Sequence, residues 1–167
     1  MSQNQENIPA SYDLTDYSYG NKLLFLLSIV FLYDKKTYLL FYVIGAVLNY
    51  LLNSILKLVF KQPRPTENMK LFQQEMNRRE TIDWREYERF GMPSGHSQES
   101  AFSLLYITMV LRNTKLSVLF FIIMVFTMYQ RIYTNKHTYL QVFVGGTIGL
   151  CMGYLFYYLA SKYIRRY

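Results

Sequence analysis

The chain has 167 residues, of which 51% are hydrophobic, 18% are aromatic and only 17% are charged. Its single cysteine excludes an intrachain disulfide framework and a cysteine-rich zinc module. A net charge of +7 is compatible with nucleic-acid binding, but the charges fall in short blocks between long apolar runs. This distribution disfavours a nucleic-acid partner and predicts a small single-domain membrane protein with aromatic residues at the membrane interfaces.

The apolar runs, taken in chain order, predict an all-α fold: a polytopic bundle of about five transmembrane helices, with four to six possible. Residues 1–20 form a polar tail that lacks the pattern of a cleavable signal peptide. The first run, Leu23–Tyr33, is too short to cross ~30 Å of hydrocarbon unless it extends back to Tyr17. The other predicted spans are Thr37–Phe60, Ser97–Leu111, Leu116 to Tyr129 or Ile132, and His137–Ala160.

Residues 21–167 are predicted to form one membrane-embedded domain, interrupted by a polar extramembrane loop at 66–91. Mixed charges at helical spacing in this loop favour one or two short surface helices. The span before the loop must end near Lys61, because Pro63 and Pro65 cannot continue a helix.

Polar and small residues recur at helical spacing inside two of the predicted spans. Asn49, Asn53 and Lys57 share one helical face, which must point into the bundle rather than at lipid. The two asparagines are expected to tie helices together rather than to contact a substrate. Glycines at 145, 146, 149 and 153 predict close helix packing in the last span.

Charged and polar residues also lie at the ends of four spans, and alternating helix directions bring these ends to one membrane face. The residues are Lys57 and Arg64 after the second span, Pro93-Ser94-Gly95-His96 before the third, Arg131 at the end of the fourth and His137 at the start of the last. Their convergence follows from topology alone.

The chemical types in this set predict an anion site with acid–base groups. Three basic residues supply positive charge, and the arginines can bind phosphate oxygens through two parallel hydrogen bonds. Ser94 and Gly95 lie where a helix N-terminus offers free N–H groups to an anion. One histidine can act as a nucleophile and the other as a general acid. No carboxylate cluster accompanies them, so no metal or other cofactor is expected.

The three motifs, Lys57-x6-Arg64-Pro65, Pro93-Ser94-Gly95-His96 and Arg131-x5-His137, resemble the signature of the type 2 phosphatidic acid phosphatase superfamily. The resemblance implies a metal-independent phosphohydrolase in which His137 attacks phosphorus to form a phosphohistidine. It implies that His96 protonates the leaving oxygen. The phosphoryl oxygens would be held by Lys57, Arg64, Ser94, Gly95 and Arg131.

The third motif departs from the family pattern at two positions. Gln130 replaces a serine, and Gln141 replaces the aspartate that orients the nucleophilic histidine in the family. The amide oxygen of Gln141 can accept the Nδ1 proton of His137, but it supplies no counter-charge. The departure leaves open a catalytically weakened member that binds lipid or acts as a scaffold.

The stretch from Gly91 to Gln98, with His137, Gln141 and Gly145, is similar to the dolichyl diphosphate phosphatase branch, which also carries glutamine at this position. That branch usually has serine where this chain has Gly95. The similarity implies hydrolysis of a polyprenyl, dolichyl-type diphosphate to the monophosphate in the endoplasmic reticulum. Phosphatidate or phosphatidylglycerophosphate remains an alternative substrate. A vanadate-dependent haloperoxidase, a remote relative, is disfavoured because those enzymes are soluble.

Basic residues in the turns of the opposite membrane face predict the orientation. Asp34 is the one acidic residue among the basic residues of these turns. By the positive-inside rule, the motif face is lumenal, or extracytoplasmic in another membrane. The basic residues are Lys35, Lys36, Arg112, Lys115, Lys162, Arg165 and Arg166.

Overall fold

The protein is built from helices throughout the part that the structure, a computed structural model, describes: residues 19–78 and 84–166. The elements are α1 (Gly20–Leu32), α2 (Lys36–Phe60), α3 (Met69–Arg78), a 3₁₀ helix (Trp84–Arg89), α4 (Gly95–Leu111), α5 (Thr114–Tyr133) and α6 (Tyr139–Arg166). The predicted all-α fold is therefore confirmed for these residues. The predicted polar tail lies almost wholly outside the described residues.

Three of the described helices, α2, α5 and α6, are long and apolar enough to cross a membrane. Their outer faces expose many large apolar side chains, which suits contact with lipid. The other two helices of the bundle are shorter, with 13 residues in α1 and 17 in α4. At 1.5 Å per residue, α1 alone is too short to cross ~30 Å of hydrocarbon. Three of the five expected spans are therefore present as full-length helices, and the other two correspond to shorter helices, α1 and α4, packed beside them.

Helix α4 lies at the centre of the bundle and packs against α1, α2, α5 and α6. Its buried side chains include polar ones, among them Ser97, Gln98, Ser100 and Ser103. A helix that is covered by protein on all sides needs no apolar face toward lipid.

The contact between α4 and α6 is a direct approach of one backbone to the other. A Cβ atom added to any of three α6 glycines would come between 2.1 and 2.8 Å from a carbonyl oxygen of α4. The pairs, each four residues on from the last, are Gly145 with Ser94, Gly149 with Gln98 and Gly153 with Phe102. The predicted close packing through glycines is confirmed, and it holds the N-termini of α4 and α6 together.

A buried amide network joins α2 to α4, as expected for the asparagines. Asn53 Nδ2 donates to Gln98 Oε1 at 2.8 Å, and Gln98 Nε2 donates to Asn49 Oδ1 at 2.8 Å. Asn53 Nδ2 also lies 3.3 Å from the carbonyl oxygen of Pro93. The network fixes the C-terminal half of α2 against the start of α4.

The segment between α2 and α4 follows the predicted pattern. Helix α2 ends at Phe60, and Lys61 caps it in the left-handed region with φ 47°. The loop then carries α3 and the 3₁₀ helix, in agreement with the expected one or two short helices. Pro63 and Phe90 form an isolated antiparallel bridge that closes the loop at its base.

Candidate active site

His137 lies in the turn between α5 and α6 and is 4% exposed. Its backbone N–H donates to the carbonyl oxygen of Arg131 at 3.1 Å. Its Nδ1 atom lies 2.9 Å from the carbonyl oxygen of Gly91 and 3.3 Å from Oε1 of Gln141. Because both neighbours are acceptors, the proton is assigned to Nδ1, and Nε2 keeps its lone pair.

Gln141 is fully buried in the first turn of α6. Its Nε2 atom donates to Oε1 of Gln62 and to the carbonyl oxygen of Pro63, both at 3.0 Å. Its Oε1 atom accepts the backbone N–H of Thr138 at 3.1 Å. Gln141 therefore connects the start of α6 to the chain just after α2, and its contact with His137 is one of several.

His96 lies in the first turn of α4 and faces Arg131, near the end of α5. Its Nε2 atom is 3.1 Å from Nη2 of Arg131, which is 3% exposed. Because a guanidinium group only donates, Nε2 of His96 is the acceptor in this arrangement. The pair links the ends of two helices that run in opposite directions.

Lys57 and Arg64 are held by neighbouring residues of the 3₁₀ helix. The Nζ atom of Lys57, a buried residue in the last turn of α2, lies 5.6 Å from the centroid of the Tyr87 ring. This geometry is a cation–π contact. Nη2 of Arg64 donates to the carbonyl oxygen of Glu88 at 2.6 Å. The loop segment therefore covers the two cations and orients both.

Ser94 and Gly95 form the start of α4. Ser94 is fully buried, its backbone N–H donates to the carbonyl oxygen of Gln141 at 3.0 Å, and its Oγ accepts from Ser97 at 3.0 Å. A Cβ atom at Gly95 would lie 3.2 Å from Oδ1 of Asn53, so the backbone is tightly enclosed here. The N–H groups of the first turn are the polar atoms that a helix start offers to an anion.

The positive charges of Lys57, Arg64 and Arg131 act electrostatically on both His96 and His137. Burial, followed by the positive charges of Arg64 and Lys57, lowers the pKa of His137 to about 3. His137, which lies before the first residue of α6, is therefore neutral at pH 7. The structure thus places a neutral imidazole beside Lys57, Arg64 and Arg131.

The residues that contact this site and were not identified from the sequence include Gln62, Tyr87, Glu88 and Gly91. Two of them act through carbonyl oxygens, which carry no residue-type signal. The sequence signal for Gly91 was its place at the start of the stretch from Gly91 to Gln98 that resembles the dolichyl diphosphate phosphatase branch. The structure gives a reason for glycine there, since a Cβ atom would lie 2.6 Å from Oε1 of Gln141. Within residues 19–78 and 84–166, no three His, Cys, Asp or Glu side chains gather in a way that would hold a metal ion.

Comparisons with known proteins agree with the motifs. Over 152 residues, or 83% of this chain and 58% of the relative, the sequence is 28% identical to Dolichyldiphosphatase 1 of Dictyostelium discoideum. It is 26% identical over 127 residues to Dolichyldiphosphatase of Saccharomyces cerevisiae, covering 70% of this chain and 49% of that protein. The chain spans about half the length of these curated relatives.

No solved structure matches the chain significantly. Residues 38–165, more than half of the sequence, match the PAP2 superfamily. This range contains all three motifs and every residue of the site described above. The chain therefore belongs to the PAP2 superfamily.

Proposed function

We propose that the protein is an integral membrane, metal-independent lipid phosphatase that hydrolyses a polyprenyl, dolichyl-type diphosphate to the monophosphate. The observation that carries the proposal is the His137 imidazole, fixed by Gly91 through Nδ1 and surrounded by three cations. Membership of the PAP2 superfamily and the two relatives named as dolichyldiphosphatases support the same substrate class.

In the first step, Nε2 of His137 attacks the terminal phosphorus atom of the diphosphate. An N–P bond forms as the bond from phosphorus to the bridging oxygen breaks, and the electron pair stays on that oxygen. His96 donates a proton to it, and the lipid monophosphate leaves. Charge on the transferred phosphoryl group is stabilised by Lys57, Arg64, Arg131, the Ser94 hydroxyl group and the backbone N–H of Gly95. The backbone N–H of Ser94 takes no part, because it donates to the carbonyl oxygen of Gln141.

The proton on His96 comes from solvent, and the contact between His96 and Arg131 determines when it is taken up. In the hydrogen-bonded pair, Nε2 of His96 is an acceptor and carries no proton. A phosphoryl oxygen competes for the Arg131 guanidinium, because a charge-assisted hydrogen bond to an anion is stronger than one to a neutral imidazole. Substrate binding thus releases Nε2, and the negative charge of the phosphate favours its protonation.

In the second step, a water molecule attacks the phosphorus of the phosphohistidine and the N–P bond breaks. The electron pair returns to Nε2 of His137, and His96, now neutral, accepts a proton from the water. The Gly91 carbonyl and the Gln141 amide oxygen keep the imidazole oriented through both steps. Orthophosphate is the second product. His137 returns to its starting state, and His96 releases its proton to solvent as phosphate leaves and Arg131 again donates to Nε2.

The purified protein in detergent tests this function. Phosphate release would be measured with dolichyl diphosphate, phosphatidate and phosphatidylglycerophosphate, each with EDTA present. Dolichyl diphosphate is expected to react fastest, His137→Ala is expected to abolish release, and the exposed neighbour Tyr139→Phe is the matched control. Failure to release phosphate from any lipid, or release that His137→Ala leaves unchanged, would favour the lipid-binding or scaffold alternative. Faster release from phosphatidate would contradict the proposed diphosphate substrate but would leave the phosphohistidine mechanism unchanged.

The membrane orientation is also a proposal: the site lies on the lumenal side of the endoplasmic reticulum. The site is built from the C-terminal ends of α2 and α5 and the N-terminal ends of α4 and α6. The basic turns at Lys35, Lys36, Arg112 and Lys115 lie at the other ends of these helices. In a Cys151→Ser background, a cysteine placed at Asn135 should react only from the lumen, and one at Lys115 only from the cytosol.

A further inference from the structure

A cavity of about 530 Å³ lies between α1, α2 and α4. This volume is in the range of sites that bind small organic ligands. Phe25, Leu26 and Phe102 contribute apolar walls, whereas Lys22 and Glu99 contribute charged groups. Among the residues that line this cavity, Lys22 is the cation, and the cations of the phosphate site are not part of the wall.

Helix α4 connects the cavity to the phosphate site. Glu99 lines the cavity, and it lies three residues after His96 on the same helix, less than one turn away. Asn21, in the first turn of α1, donates a hydrogen bond to the Glu99 carboxylate. The cavity therefore begins beside the histidine that faces the leaving oxygen.

Helix α5 fixes the first turn of α1 from the other side. A Cβ atom at Gly20 would overlap Oγ1 of Thr127, at 2.0 Å. Thr127 precedes Arg131 by four residues, which is about 6 Å along the helix. Lys22 thus belongs to a turn that is docked against both α4 and α5, next to His96 and Arg131.

The charge of Lys22 reaches the site. Its ammonium group interacts electrostatically with both His96 and Glu99. The side chain itself is exposed, so a bound group can approach it from the mouth of the cavity. Lys22 is therefore the lining residue whose side chain can attract a phosphate group.

We propose that Lys22 and the α1–α2–α4 cavity bind the leaving group of the reaction, a lipid monophosphate, with Lys22 contacting its phosphate. The inference rests on the proposed function. The phosphate next to the lipid lies beyond the oxygen that His96 protonates, and its charge rises as the bond to the terminal phosphorus breaks. An ammonium group there stabilises that charge. The hydrocarbon chain continues along the apolar walls of the cavity.

Equilibrium binding tests the subsite independently of turnover. A fluorescent polyprenyl monophosphate would be titrated into the protein in detergent with saturating orthophosphate, which occupies the terminal-phosphate site. Lys22→Gln is expected to weaken binding on the order of tenfold, and Lys22→Arg to retain it. Lys36→Gln, an exposed lysine at the opposite end of α2, is the matched control.

Orthophosphate binding, measured in the same variants, separates the subsite from the rest of the site. Orthophosphate binding should change far less than lipid binding in Lys22→Gln, and its retention also shows that the variant is folded. Equal binding of the lipid by wild type and Lys22→Gln would overturn the proposal, as would a parallel loss of orthophosphate binding. If the wild type binds the lipid through Lys22 but releases no phosphate from any lipid, the proposed function fails and the subsite stands.

Discussion

The Nδ1 atom of His137 lies 2.9 Å from the carbonyl oxygen of Gly91, across the gap between the start of α6 and the segment before α4. A peptide carbonyl thus accepts the proton that fixes the tautomer of the imidazole. The amide oxygen of Gln141, at 3.3 Å, is a second acceptor. The orientation of His137 therefore does not require a carboxylate at position 141.

Replacing Gln141 by aspartate is expected to lower activity, although it restores the residue typical of the superfamily. The amide of Gln141 donates to Gln62 and Pro63, and a carboxylate would face those two acceptors without a proton to offer. We expect a loss of about 2–4 kcal/mol in stability and at least about a tenfold loss in rate. Detergent-based thermal unfolding and phosphate release measure the two effects. A faster Gln141→Asp enzyme would show that the wild type is an impaired member.

A substitution at Gly149 should disrupt the bundle, whereas the same substitution at Gly146 should not. A Cβ atom at Gly149 would meet the carbonyl oxygen of Gln98 at 2.1 Å, and backbone cannot move aside. At Gly146 it would meet only the flexible end of Met128, at 2.8 Å. We expect Gly149→Ala to cost about 2 kcal/mol or more, and Gly146→Ala to be neutral or stabilising through helix propensity. Equal melting temperatures for the two variants would contradict the packing described.

Acid should destabilise the protein partly through His137. Burial and nearby cations lower the pKa of His137 to about 3, well below the value of about 6.5 in an unfolded chain. The unfolded state therefore binds the proton more readily, and stability falls as pH drops through the interval between the two values. Between pH 7 and pH 5 the expected loss is about 2 kcal/mol. Thermal unfolding of His137→Gln should depend less on pH over this range, and an unchanged slope would refute the assignment.

The ring of Tyr87, rather than its hydroxyl group, should matter for activity. Its face lies 5.6 Å from Nζ of Lys57, and a cation–π contact is worth about 1 kcal/mol. We expect Tyr87→Leu to lower kcat/KM about fivefold, because Lys57 loses its orientation. Tyr87→Phe, which keeps the ring and loses the contact with Tyr50, serves as the control. Similar kinetics for the two variants would exclude an orienting role for the ring.

Much of the fold and part of the site could be predicted because they depend on side-chain type and helix direction. Long apolar runs define α2, α5 and α6, and alternating directions bring Lys57, His96 and Arg131 to one end. The rest depends on backbone atoms. The carbonyl oxygens of Gly91 and Glu88 hold His137 and Arg64, and a carbonyl oxygen is present at every residue. No local feature of the sequence indicates that other helices cover α4 on all sides.

The glycine contacts between α6 and α4 repeat every four residues, so packing alone does not fix how far α6 slides along α4. A slip by one turn would set Gly149 against Ser94 and Gly153 against Gln98, so a glycine would remain at two of the three close contacts. It would also move His137 by about 6 Å relative to Gly91. The hydrogen bond from Ser94 N–H to the Gln141 carbonyl oxygen, at 3.0 Å, selects one register. Variants that weaken this bond would give a protein that folds and inserts normally but has its nucleophile out of reach.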